Sequence, residues 1–219
     1  MMRASEPAPD LKQRVLAAVR SEPATTRPAE RLRAGLVLAI CAAIAVAIFI
    51  EFGGLRRYER PIVLVAWTCL GWVLATGAAA WIGIARGRSM LGRSTAALAT
   101  LIVLTPFALL AWKIGATLPF GDQMMMPWPT RGGFRCLSLT LAMAAPLLAG
   151  CIAIRRRSDP VHPGIAGAAL GIMAGVASGT LVDLWCPVAY LPHLLLGHIL
   201  PLLVAALFGA WSGRRFLGL

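Results

Sequence analysis

The stretch at 162–184, HPGIAGAALGIMAGVASGTLVDL, holds one carboxylate, one histidine and neither lysine nor arginine. A helix rises about 1.5 Å per residue and bilayer hydrocarbon is about 30 Å thick, so a run of this length and polarity predicts a membrane-spanning helix. Within it glycine recurs every fourth position, at Gly167, Gly171, Gly175 and Gly179, with Gly164 ahead of them. Residues four apart share one helix face, so the four glycines make a groove where another backbone can approach closely. Leucine and acyl chains are equally apolar, so helices in lipid are held by such packing. The groove predicts a seam with another helix of the same bundle, with a homodimer contact as the alternative.

Five further stretches have the same character, at about 34–52, 61–84, 94–116, 134–154 and 191–212. Of the 219 residues, 58% are hydrophobic and 14% charged, against about a quarter charged in soluble domains. The mean hydropathy of +0.75 excludes an ordinary soluble globule and a disordered chain alike. The fold class is therefore all-α, a polytopic membrane protein of six transmembrane helices. The first span is no signal peptide: it follows 33 polar residues, exceeds an h-region in length and lacks a small-x-small cleavage site. The organisation is a segment 1–33, a bundle 34–212 and a tail 213–219.

A net charge of +12 would suggest nucleic acid in a soluble protein, but here the placement of the cations decides. Alternate segments carry 15 lysines and arginines on the N-terminal side and 5 opposite, with Lys113 inside a span. Cationic loops stay inside, so both termini are expected in the cytoplasm, with no direct nucleic-acid contact; Arg56, Arg57 and Arg60 are the dissent. Trp112, Trp128 and Trp185 fall at the expected outer interface. Met124, Met125 and Met126 precede Pro127 in the same outer loop, which is read as resting on the bilayer surface, with soft-metal binding as the alternative.

Pro106, Pro146 and Pro201 lie inside spans 3, 4 and 6, and each should kink its helix. Lys113 and Asp183 are expected near the outer ends of their spans, reaching the interface, and Glu51 ends the first. With no charge left at the bilayer centre, a proton- or ion-coupled carrier is disfavoured.

Cys41, Cys69 and Cys151 read as buried small apolar side chains. Cys136 opens span 4 and Cys186 follows span 5, so topology places both at the outer face, in an oxidising compartment. A disulfide between them requires the outer ends of spans 4 and 5 to touch. Asp183, His193 and His198 accompany them, with His193 and His198 five apart and off a common helix face. Thiolates, imidazoles and a carboxylate suit a thiol-reactive or redox sensor, a zinc or soft-metal site, or plain polar packing. The spacing matches no metal motif, and the three readings stay open. His162 is read as an interfacial residue. No GxSxG, HExxH, phosphate loop or CxxC is present, which argues against an enzyme and calls for no cofactor.

In residues 1–33, Asp10 can cap a short helix running to about Arg20, with Leu11, Val15, Ala18 and Val19 near one face. Such a helix is marginal alone and could fold in a partner's groove. The competing reading is a basic tail on anionic membrane lipid, at about 1 kcal/mol per cation. Ser21 to Pro28 then reads as an extended linker, with Pro23 and Pro28 disfavouring helix.

Cys136 opening span 4, the turn Arg155-Arg156-Arg157, the glycine ladder, Trp185-Cys186-Pro187 and His198 with Pro201 together resemble the negative-regulator-of-sigma-F (NrsF-like) family. These are six-span anti-sigma factors of the bacterial inner membrane. The resemblance is strongest from about 134 to 215. It implies that an extracytoplasmic-function sigma factor is sequestered through 1–33 and released on an envelope, metal, redox or light-linked signal. Within it, Cys136 and Cys186 are the sensing thiols, tied to stress such as heavy metals, with Asp183, His193 and His198 in support. A light-responsive anti-sigma factor of myxobacteria has similar size and span count, so the stimulus need not be a metal. Release could be conformational or proteolytic. The rival readings are a small transporter or channel, a membrane thiol oxidoreductase, and a structural subunit docked through the glycine ladder.

Overall fold

The computed structural model describes residues 13–14, 16–17, 27–53, 62–83, 94–119, 132–156, 160–186, 188 and 190–218. The chain divides into two compact units, 1–36 and 37–219. In the first, Gln13, Arg14, Leu16 and Ala17 are helical and exposed. Leu11, Val15, Ala18 and Val19, expected on the binding face, lie outside the described residues, as do Arg56, Arg57, Arg60, Met124, Met125, Met126 and Trp128.

Among the described residues, six long helices form the framework and there is no strand. Helix α1 covers Arg27–Ile48 and continues into a π-helical turn, Phe49–Gly53. Helices α2 to α5 cover Ile62–Gly83, Thr95–Thr117, Phe134–Arg155 and Pro163–Trp185. Helix α6 covers Leu191–Phe216, interrupted by a second π turn at Leu195–Ile199. All six are long and apolar enough to cross a membrane and cover the six expected stretches, but the first begins at Arg27 rather than 34, so Arg27 and Pro28, expected at the end of the linker, are helical; Pro28 sits in the first turn, where no N–H is needed. Their ends have local causes. Ser94 caps α3 by accepting from the Ala97 N–H at 3.2 Å, Gly133 precedes α4 at φ 78°, and Pro163 opens α5 where no N–H is needed.

Helix α5 is the centre of the second unit, packed against α2, α4 and α6. It is apolar all round, and a helix without a polar face must be enclosed. A run from Gly167 to Val176 is buried without a break. The glycine ladder turns out to serve two neighbours. A methyl group on Gly167 would strike the backbone of Gly209 and Gly213, one on Gly171 the backbone of Ala205 and Ala206, and one on Gly175 the side chain of Leu202. Gly179 faces the indole of Trp72 on α2 instead. The α6 seam is reciprocal, since Gly209 and Gly213 are equally filled by the backbone at Pro163 to Gly171. On the outside, Leu104 and Phe107 of α3 and Leu207, Phe208 and Trp211 of α6 stay exposed, as surfaces meant for lipid should.

Three expectations are corrected. Lys113 and Asp183 do not reach out from the protein; they form an ion pair with each other, 3% and 0% exposed. Asp183 also accepts from the Cys69 thiol at 3.7 Å, so Cys69 is a polar contact rather than inert filling, and Cys41 is only half-buried. Pairing neutralises the charges where the bundle excludes water, which solves the desolvation problem that snorkelling would otherwise solve. Trp185 is buried rather than interfacial, with the Arg135 guanidinium 4.8 Å from its ring centroid. As for the prolines, α3 and α4 run unbroken through Pro106 and Pro146, whereas the π turn stands directly ahead of Pro201.

Gly167→Ala and Gly171→Ala should each destabilise the bundle by about 1–3 kcal/mol through overpacking. Gly77→Ala and Gly115→Ala, which open into free space, should leave the detergent melting temperature unchanged. Asp183→Leu should cost about 3–5 kcal/mol by stranding Lys113, and adding Lys113→Met should recover most of it in the same melting assay.

Candidate functional site

The N-terminal turn of α4, the residues just after α5 and the first turns of α6 meet at one end of the bundle. The meeting is a backbone contact. Gly133, in the left-handed region that glycine alone enters freely, lies so close to Gly197 that a methyl group on it would sit 3.2 Å from the Gly197 nitrogen and from the His193 carbonyl oxygen. A methyl group on Gly197 would in turn come within 3.0 Å of the Cys136 Cβ and 3.1 Å of the Gly133 carbonyl oxygen. Two glycines therefore let α4 enter against α6 with Cys136 facing inward. Arg135 holds the same entrance from the other side, donating from Nη2 to the Phe52 carbonyl at 2.8 Å.

Into this corner the chain brings four side chains. Nε2 of His193 lies 3.1 Å from Sγ of Cys186 and 3.6 Å from Sγ of Cys136. The His198 ring stacks obliquely on His193, centroids 5.5 Å apart, and lies 6.1 Å from Trp72. One donor atom from each of Cys136, Cys186, His193 and His198 falls within 4.8 Å of all the others, and all four residues are buried. Both cysteines are free thiols. Hydrogen bonding with Cys136, and then with His193, holds the Cys186 thiol well below its ordinary range, against the opposing effect of burial. Among the described residues, neither ring nitrogen of His198 has a hydrogen-bond partner in good geometry.

Of the residues singled out in the sequence, Cys136, Cys186, His193 and His198 come together. Asp183 does not join them; it is committed to Lys113 and Cys69. The histidine spacing is resolved by the π turn. On an α-helix, side chains five apart diverge by about 140°. At Leu195–Ile199 the backbone instead closes by a five-residue step, Leu200 N–H donating to the Leu195 carbonyl, and the extra residue returns His198 to the face of His193. Pro201 explains why the turn sits there. It has no N–H for the carbonyl of Gly197 four residues back, so the regular ladder is already broken. The sequence reading missed Gly133 and Gly197; a glycine three residues before Cys136 and another immediately before His198 were the available signal.

Mild oxidation of the full chain should join Cys136 to Cys186 and leave Cys41 and Cys151 free, as read by peptide mapping. Gly197→Val, by pushing α6 off α4, should slow that reaction several-fold while Gly77→Ala leaves it unaltered.

Residues 16–218 match the family described as negative regulator of sigma F. Anti-sigma-F factor NrsF of Caulobacter vibrioides is 35% identical over 82 residues, which make up 37% of this chain and 38% of that protein. "Probable anti-sigma-F factor NrsF" of Azospira oryzae is 27% identical over 137 residues, 63% of this chain and 57% of that protein. The matched portions thus span less than two thirds of either relative. No solved structure matches the chain. With the family pattern running through all six helices, the chain belongs to the negative-regulator-of-sigma-F (NrsF) family.

Proposed function

We propose that this chain is a membrane-embedded anti-sigma factor that sequesters a sigma factor of the extracytoplasmic-function class through residues 1–33 and lets it go when the Cys136–Cys186 end of the bundle receives a signal. The observation that carries the reading is the family match over residues 16–218. The role is regulatory, not catalytic. Six apolar helices support a place in the membrane, and the excess of cations in alternate segments supports cytoplasmic termini in a bacterial inner membrane, with Cys136 and Cys186 on the far side.

In the holding state a helix over residues 10–20 occupies the polymerase-binding surface of the sigma factor, with Leu11, Val15, Ala18 and Val19 in the groove and the ordering cost met on binding. A signal acts only by favouring one bundle state over another. Turning a population from 99:1 to 1:99 takes about 5.5 kcal/mol, several times what one ordinary hydrogen bond contributes. Sulfur chemistry at the buried thiols, oxidation or ligation, is of the right size. Asp183 supports the site indirectly by fixing the end of α5 to α2 and α3.

Two outcomes are expected. Full-length protein solubilised from membranes should co-purify a sigma factor, and removal of residues 2–33 should abolish recovery while the bundle still inserts. Serine at both Cys136 and Cys186 should keep sigma binding and lock the transcriptional response. Equal recovery with and without the segment, or unchanged induction in the double variant, would overturn the corresponding half of the proposal.

A further inference from the structure

We infer that Cys136, Cys186, His193 and His198 are the four ligands of a closed tetrahedral site for one divalent cation of the zinc type. Two sulfurs and two imidazole nitrogens are a complete structural ligand set for such an ion. With metal–nitrogen bonds of 2.0–2.1 Å and metal–sulfur bonds near 2.3 Å, neighbouring donors of a tetrahedron lie roughly 3.3–3.8 Å apart. The His193 nitrogen is already 3.1 Å from one sulfur and 3.6 Å from the other, and no pair of the four donors exceeds 4.8 Å. Closing the set around an ion needs only small side-chain movements.

His198 supplies an independent reason. Its imidazole is 3% exposed, and neither ring nitrogen finds a partner in good geometry among the described residues. A buried polar group left in this way is costly unless something binds it, and the group nearest at hand is the Cys/His cluster it belongs to. As the fourth ligand, one of its two ring nitrogens gains a partner.

Charge selects the ion. Two thiolates, two neutral imidazoles and a divalent cation sum to zero, the state that a buried site tolerates best. A monovalent ion would leave one negative charge in the buried site, and a trivalent ion one positive charge beside Arg135. On binding, a metal–sulfur bond replaces each S–H bond still present, and whatever protons the four donors carried leave for solvent. With four protein ligands no position is open for water or substrate, so the centre is structural and not catalytic. It fastens α4, the end of α5 and α6 to one point. Its meaning as a signal rests on the anti-sigma reading; the binding itself does not.

The test uses the full chain, purified in detergent with its thiols reduced. One equivalent of Co2+ should give the visible spectrum of tetrahedral sulfur–nitrogen coordination, and Zn2+ should displace it. His193→Ala and His198→Ala should each lose that spectrum, while Cys41→Ser and Cys151→Ser should retain it. X-ray absorption of the zinc-loaded native chain, which needs no variant to fold, should show two sulfur and two nitrogen neighbours. Failure to hold an equivalent of either metal, or a zinc shell without two nitrogens, would overturn the assignment. Neither result would touch the sigma-factor capture experiment, which therefore fails or succeeds separately.

Discussion

Backbone-to-backbone contact between α5 and α6 is the constraint on which the rest of this molecule hangs. In lipid there is no hydrophobic gain in bringing two apolar helices together, so contact surface has to be created by removing side chains. Gly167 and Gly171 on one helix, Gly209 and Gly213 on the other, do this reciprocally. Once that pair is fixed, α5 has two remaining faces. One receives Trp72 of α2 at Gly179, and the other packs on α4. The positions of Cys186 and of His193 and His198 follow, because they lie at the ends of the two helices that the glycines lock together.

Several polar groups of the bundle gather toward that end, and each is dealt with differently. Lys113 and Asp183 cancel as an ion pair, with Cys69 adding a weak hydrogen bond. Arg135 spreads its charge over the face of Trp185 and a free carbonyl at the end of α1. The thiols and imidazoles gather among themselves.

How much of this was legible beforehand depends on the range of the interaction. The six spans are local in sequence, a matter of about 20 apolar residues each, and all were readable. The glycine ladder was readable as a close-packing face, but its division between α6 and α2 was not, since the rotation of Gly179 toward Trp72 depends on tertiary packing. Topology sufficed to put Cys136 and Cys186 at the same end. The histidines defeated the pattern because regular helix geometry sets them on different faces, and only the π turn before Pro201 reunites them. Lys113 and Asp183 are 70 residues apart, and no periodicity announces a pairing at that distance. The membership of the family was visible in Cys136, the Trp-Cys-Pro sequence and the final proline, whereas Leu11, Val15, Ala18 and Val19 lie outside the described residues.

The glycine seam also has a mechanical consequence. Two helices whose main chains touch over several turns cannot tilt or slide separately without steric collision, so α5 and α6 behave as a single beam. Helix α4 is joined to that beam by ordinary side chains along most of its length, through Leu139, Met143 and Val182 among others, and such contacts yield more readily. Cys136 rides on α4 while Cys186, His193 and His198 ride with the beam. The four-residue corner therefore spans the joint between α4 and that beam, and whatever draws its atoms together or pushes them apart does work across that joint.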